Sequence, residues 1–228
     1  MRISLCLLVW NELEGCRIDV PNLPSGSFEE VYAVDGGSTD GTREYLESHG
    51  IPVYRQLKRG LNAAYIHAVE KSTCDAVVVY FPKGTVPQAD LLKFRPLLES
   101  GHDLVIAGRS IKGAKNEEDD HFLKPRKWLV LGLAGLASLV WRREGYFVRD
   151  VLHGIKGFTI AGFRKMDPCD HGLSIDIEMV IRSYRLRLKR AEFPTSEIPR
   201  PHGETQFKIL PTGIKLLKYL WWECRRET

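Results

Sequence analysis

Residues 34–42 read Val-Asp-Gly-Gly-Ser-Thr-Asp-Gly-Thr. An apolar run over 31–34 delivers Asp35 into a turn of Gly36, Gly37 and Ser38, and Thr39-Asp40-Gly41-Thr42 then opens a helix. A carboxylate accepts hydrogen bonds from a base imide or from ribose hydroxyls. Where a strand ends in a carboxylate and a glycine turn, a nucleotide can be seated at the carboxyl edge of a parallel sheet. A second apolar run, 75–81, ends in Phe81-Pro82-Lys83. A lysine at such an edge is suited to phosphate charge and unsuited to a hard metal, which needs oxygen ligands.

Other chemistries lack their residues. The seven histidines show no His-x-x-x-His and no Cys/His spacing for zinc. Ser38 has no Gly-x-Ser-x-Gly context, which argues against a serine hydrolase. Residues 36–41 contain no Gly-Lys-Ser/Thr, so the turn is not a Walker loop. The five cysteines (Cys6, Cys16, Cys74, Cys169, Cys224) form no Cys-x-x-Cys and read as scattered thiols of a reducing compartment.

The elements that must position these residues are legible as an alternation. Strands are expected over 2–10, 28–35, 52–56, 75–81 and 103–107, with helices over 39–49, 61–72 and 88–100 between them. Ser38 or Thr39 is the expected cap of the first of those helices and Gly50 its end. Strands such as Leu5-Cys6-Leu7-Leu8-Val9 are too continuously apolar for a one-sided sheet, so the sheet should be mostly parallel and covered on both faces. Beyond Arg109 come an acidic stretch (115–120), an all-round apolar helix (128–141), and a glycine-containing region (147–163) expected to hold two short strands. A helix over 174–187, a strand over 190–194, a loop over 199–207 and a basic amphipathic helix over 212–226 complete the chain.

At 228 residues, 43% hydrophobic and 27% charged, the chain suffices for one sizeable core and about one domain. Residues 1–110 would form a nucleotide-binding half and 111–228 an acceptor- and membrane-facing half. Net charge is +4, yet residues 182–226 hold eleven Lys/Arg against four Asp/Glu. Such a basic third favours anionic partners, although a solvated basic face is the plainer reading. Nucleic acid is not the expected partner, because it leaves the Asp35 turn unexplained.

The ordered set of motifs resembles family 2 glycosyltransferases of the GT-A fold, nearest to the polyprenyl-phosphate (dolichyl-phosphate mannose) synthase type. The residues that carry this resemblance are Trp10-Asn11-Glu12, 34–42, Arg59-Gly60-Leu61-Asn62-Ala63-Ala64, Ala107-Gly108-Arg109, Asp150 with Gly154 and Gly157-Phe158, Asp176 and Glu178, and Arg200-Pro201-His202-Gly203-Glu204-Thr205. It implies an α/β, Rossmann-like fold and transfer of a sugar from a nucleotide-diphosphate donor. It also implies that Asp35, with Gly37 and Ser38, faces the base or ribose, and that Asn11 and Glu12 lie beside the nucleoside. Arg59 and Gly60 would border the nucleotide, and Arg200, His202, Gly203 and Thr205 would close over the diphosphate, which arginine grips with a fork of donors.

The departures are informative. The second Asp common after Asp35 is Gly36, and the lysine expected late in the chain is Gln206, with Lys208 nearby. The metal-binding Asp-x-Asp of such relatives is replaced by Phe81-Pro82-Lys83. No cofactor is expected, and magnesium or manganese lacks its usual ligands. Lys83, Arg109 and Arg200 would then supply the positive charge directly. Two alternatives stand beside this: a relocated metal site in 117–120, and a non-catalytic sugar-nucleotide-binding or scaffold protein. A lipid phosphate acceptor needs no strong base, whereas a hydroxyl acceptor would call on Asp150 or Asp176. Asp176 and Glu178, two apart on a helix, should point to different faces.

The apolar helix over 128–141 would be roughly 21 Å long, short of a bilayer core of about 30 Å. Tryptophan at both ends and basic flanks fit an interfacial element. In 212–226, Ile214, Leu217, Leu220 and Trp221 can share a face, with Lys215, Lys218, Arg225 and Arg226 free for head groups. The expectation is a cytoplasmic protein, peripheral at the inner face of the membrane, whose acceptor is polyprenyl phosphate.

Overall fold

The apolar runs become strands sealed on both faces. β1 (Ile3–Val9), β4 (Ala76–Tyr80) and β5 (Leu104–Gly108) are buried at every position, as near-continuous aliphatic strands require. With β2 (Glu30–Asp35), β3 (Val53–Arg55), β6 (Lys156–Thr159) and β7 (Arg190–Pro194) they form one sheet of order β3-β2-β1-β4-β6-β5-β7. Neighbours are parallel except around β6, which runs antiparallel to both β4 and β5. The carboxyl ends of six strands and the beginning of β6 therefore lie along one edge. This computed structural model describes every residue except 117, 120, 121, 171, 203–208, 227 and 228, and leaves the side chains of 209–211 undescribed.

Side chains alternate across the pleat, so each strand feeds two apolar layers. Cys6, Leu8, Val77 and Val79 pack towards α3 (Leu61–Lys71), α5 (Pro125–Trp141) and α7 (Ile175–Arg185). Leu5, Leu7, Val78 and Tyr80 pack towards α1 (Leu13–Asp19), α2 (Thr42–Ser48) and α4 (Phe94–Glu99). The remaining helices are α6 (Ile160–Met166) and α8 (Ile209–Arg225). Complete burial of an aliphatic side chain contributes about 1.5–3 kcal/mol, so these two layers drive folding.

Several boundaries differ from the sequence expectation, each for a local reason. Helix α2 starts at Thr42, because Gly41 adopts φ +92° and Asp40, not Ser38 or Thr39, accepts the first free N–H (Thr42 N to Asp40 Oδ1, 3.0 Å). The single helix expected over 88–100 is a 3-10 turn, Gln88–Lys93, followed by α4. Pro96 lacks an N–H and fits only the first turn of an α-helix. Region 147–163 yields one strand, not two: β6 runs straight into α6, where Thr159 Oγ1 accepts from Gly162 N at 3.0 Å. Helix α1 had no counterpart in the sequence reading. Among the described residues no helix is long and apolar enough to cross a membrane.

Candidate active site at the carboxyl edge of the sheet

The Asp35 turn is a lattice of local hydrogen bonds. Asp35 is 3% exposed, and its two carboxylate oxygens accept from Ser38 N at 3.0 and 3.1 Å and from Ser38 Oγ at 2.5 Å. Asn11, at φ +52°, donates its backbone N–H to Ser38 Oγ (2.8 Å) and accepts Thr39 N on its side-chain oxygen (2.8 Å). Glu12 N–H reaches Thr42 Oγ1 at 2.9 Å. The turns after β1 and β2 are thus stapled into one platform, with Gly37 at φ +96°. The Trp10 indole, 55% exposed, lies across Gly36, where an added Cβ would sit 3.3 Å from Trp10 Cβ and Cγ. That crowding is a physical reason for glycine in place of a second aspartate.

The turn after β4 presents Lys83. Its ammonium lies 5.0 Å from the Phe81 ring centroid and has no hydrogen bond or ion pair among the described residues. Burial lowers its pKa; of the charges around it, Glu12, Glu197 and Asp176 oppose that shift and Arg200 adds to it. Beneath the turn lies the buried Asp19 carboxylate. It accepts from Gly84 N at 2.9 Å, from Tyr80 OH at 2.8 Å and from Gln88 Nε2.

The cations and carboxylates further along the edge are mutually committed. Arg109 follows β5 and reaches Asp150 through Nε (2.8 Å), Nη2 (3.0 Å) and its backbone N–H (2.9 Å), and Glu197 through Nη1 (2.7 Å). Asp150 is completely buried; burial would raise its pKa, but the Arg109 guanidinium holds it well below the usual carboxylate range. Buried His153 touches the Ala107 carbonyl, and burial pulls its pKa down to about 4, so it is neutral at pH 7. Asp176, in the first turn of α7, is paired at 2.5 Å with the completely buried Lys156. Glu178 points elsewhere, to Asn62 Nδ2 (2.9 Å), Ser174 Oγ (2.9 Å), Cys169 N (2.8 Å) and Arg182 (2.7 Å).

Two of the expected groups are already engaged with each other. Arg109 is not a free cation, since two carboxylates already neutralise it. Asp150, the expected base for a hydroxyl acceptor, is sealed from solvent with its oxygens on that guanidinium. Among the described residues the Lys83 ammonium has no carboxylate partner, while Arg200 pairs with Glu12 and donates Nε–H to the His202 carbonyl at 2.6 Å. Arg59 is exposed beside Gly60, which has φ +117° and lies against the Gly172 backbone. Gly203 and Thr205, with Gln206 and Lys208, lie outside the described residues. Asp19, Lys156 and Glu197 were missed by sequence reasoning. Lys156 carried a usable signal, a lone charge in the apolar stretch Ile155-Lys156-Gly157-Phe158; Asp19 and Glu197 carried none.

The residues at the end of β4 do not fit a divalent metal. The Phe81 ring fills the space over Gly154, where an added Cβ would lie 2.5 Å from Phe81 Cε2. Lys83 beside it repels a cation. Among the described residues, no group of three or more His, Cys, Asp or Glu is placed to hold an ion. The acidic stretch has other work where it is described. Glu118 accepts Lys127 N (3.0 Å) at the start of α5, and Asp119 pairs with Lys124 (3.5 Å) and Lys127; Glu117 and Asp120 lie outside the described residues.

A mostly parallel sheet with one reversed strand, whose carboxyl edge carries a carboxylate turn and cations, is the architecture of the GT-A glycosyltransferases. The glucosyl-3-phosphoglycerate synthase of Mycobacterium tuberculosis, solved with Mn2+, UDP and phosphoglyceric acid, matches with a TM-score of 0.70 at 18% identity, over 100% of this chain and 80% of that one. The chain belongs to glycosyl transferase family 2, whose family model matches residues 11–167. Glycosyltransferase AglJ of Haloferax volcanii is 29% identical over 208 residues, 88% of this chain and 65% of that protein. The dolichol-phosphate mannosyltransferase of Pyrococcus furiosus is 26% identical over 236 residues, 96% of this chain and 62% of that protein. The chain thus spans slightly less than two thirds of the length of both relatives.

Proposed function

We propose that this chain transfers a hexosyl group from a nucleoside-diphosphate sugar to a polyprenyl phosphate at a membrane surface, with Lys83 in place of the metal that family relatives hold between aspartates. The carrying observation is the Lys83 ammonium, held over the Phe81 ring at the carboxyl edge of the sheet with no carboxylate partner among the described residues. The acceptor oxygen attacks the anomeric carbon, the bond from that carbon to the diphosphate oxygen breaks, and the electron pair leaves on the diphosphate. A fixed cation facing that oxygen lowers the barrier because the charge develops there. Arg200 joins Lys83 by exchanging Glu12 for the diphosphate, and the released Glu12 is then free to accept from the nucleoside. Trp10 offers an exposed aromatic face for the base.

The acceptor class follows from the carboxylates. Among the described residues, Glu12, Asp150, Asp176 and Glu197 each face a cation, and His153 is neutral and sealed. None of these five is an unpaired, exposed base in the unliganded site, which favours an acceptor that arrives already ionised, as a phosphate monoester does. Two helices support a lipid-borne acceptor. On α5, Trp128, Leu131, Leu136 and Leu139 are exposed along one stripe; on α8, Ile214, Leu217 and Trp221 are exposed beside Lys215, Lys218 and Arg225. Leu220, expected on that outer face, is only 4% exposed and packs inward. Transfer should be measured with a panel of nucleotide sugars in the presence of chelator. Loss of turnover restored only by a divalent ion would overturn the role of Lys83, and failure to float with anionic liposomes would overturn the membrane surface.

A further inference from the structure

The Phe81–Lys83 turn is built into its neighbours rather than left over from a lost metal site. Pro82 O lies 2.1 Å from where a Cβ of residue 15 would be, so α1 can approach the turn only with glycine there. One helical turn further on, Asp19 is completely buried, and its carboxylate gathers Gly84 N (2.9 Å), Tyr80 OH (2.8 Å) and Gln88 Nε2. The Lys83 N–H also bears on it. Gly84 sits at φ +68°, a conformation that favours glycine. The backbone of the turn is thus drawn inward onto one carboxylate, while the Lys83 side chain projects the other way, over Phe81. A carboxylate accepting several donors is a rigid anchor, and a preorganised cation needs such a support.

We infer that Asp19 is a positioning residue for the Lys83 ammonium: with Gly15 and Gln88 it fixes the turn so that the cation stands where a diphosphate will bind. This rests on the proposed reading of Lys83. Asp19 does not touch the ligand, so its effect must pass through Lys83 and must vanish when Lys83 is absent.

The test compares binding of UDP and GDP with that of uridine and guanosine, by calorimetry in chelator, in the intact chain. Asp19→Asn, which turns an accepting oxygen into a donor facing other donors, should leave nucleoside affinity unchanged. It should cut the preference for the diphosphate by about tenfold, the worth of one charge-assisted hydrogen bond. Lys83→Ala should cut it as much or more, and the double variant should be no worse than Lys83→Ala alone. Gln88→Ala, at a half-buried position where folding is not at stake, should show a smaller loss in the same direction. Additive losses, or a diphosphate preference that survives both Asp19→Asn and Gln88→Ala, would overturn this inference alone. A wild-type chain indifferent to the diphosphate would overturn it together with the reading it rests on.

Discussion

Replacing Lys83 with methionine should produce a protein that is more stable and nearly inactive. The methionine keeps an apolar stem over Phe81 and removes the charge. Two unit charges about 4 Å apart attract by about 4 kcal/mol at an effective dielectric near 20. Removal of one donor aimed at a developing negative charge costs about 2.7–4 kcal/mol, or about 100–1,000-fold in turnover. Arg109 cannot compensate, since Asp150 and Glu197 hold it. Stability should move the opposite way. The Lys83 pKa in the fold lies below its ordinary 10.5 because of burial, so the charged form costs stability at neutral pH, a cost that fades as pH rises. Removing an unfavourable charge of this kind commonly yields about 0.5–2 kcal/mol, and each kcal/mol raises Tm by about 2–4 °C at this chain length. The assay pairs steady-state transfer in chelator with a thermal melt. A variant that transfers at the wild-type rate, or that melts below wild type, would refute the reasoning.

Arg109→Met should be severely destabilising, by about 3–5 kcal/mol in urea unfolding, because it strands two carboxylates, one of them fully buried. Asp150 and Glu197 have lowered pKa values. Their stabilisation is therefore complete above the ordinary carboxylate range and lost as pH falls through the folded values. The urea midpoint of wild type should fall as pH drops below about 4, the ordinary carboxylate range, and that fall should shrink in Arg109→Met. Diphosphate binding should weaken with rising pH below the range of an ordinary lysine, tracking Lys83, and a profile flat to pH 10.5 would contradict this. Leu139→Ser with Trp221→Ser, both at exposed positions, should reduce liposome flotation about tenfold or more and leave Tm unchanged.

Much of the fold was legible because buried strands and apolar helix faces leave periods in the chain. Runs such as Val77-Val78-Val79 admit little but a strand covered on both faces, and the Asp35 turn announced itself through its glycines. What sequence could not show was which charges find each other. Arg109, Asp150 and Glu197 are far apart in the chain and converge only when β5 and β7 pair side by side. Asp19 reads as an ordinary helix-surface acid until the β4 turn is laid over it. The reversal of β6 was hidden for a similar reason, since its four residues run directly into a helix and give no turn signature.

That reversed strand divides the work of the edge. On one side of it, β1 to β4 carry the Asp35 platform and Lys83; on the other, β5 and β7 carry Arg109 and the segment leading to Arg200. The seam joins them by backbone pairing, with β6 bonded to both β4 and β5. Segments exchanged on the β5–β7 flank would therefore change Arg109 and Arg200 while the Asp35 platform and Lys83 stay in place, which makes this small scaffold divisible along a line that its own topology draws.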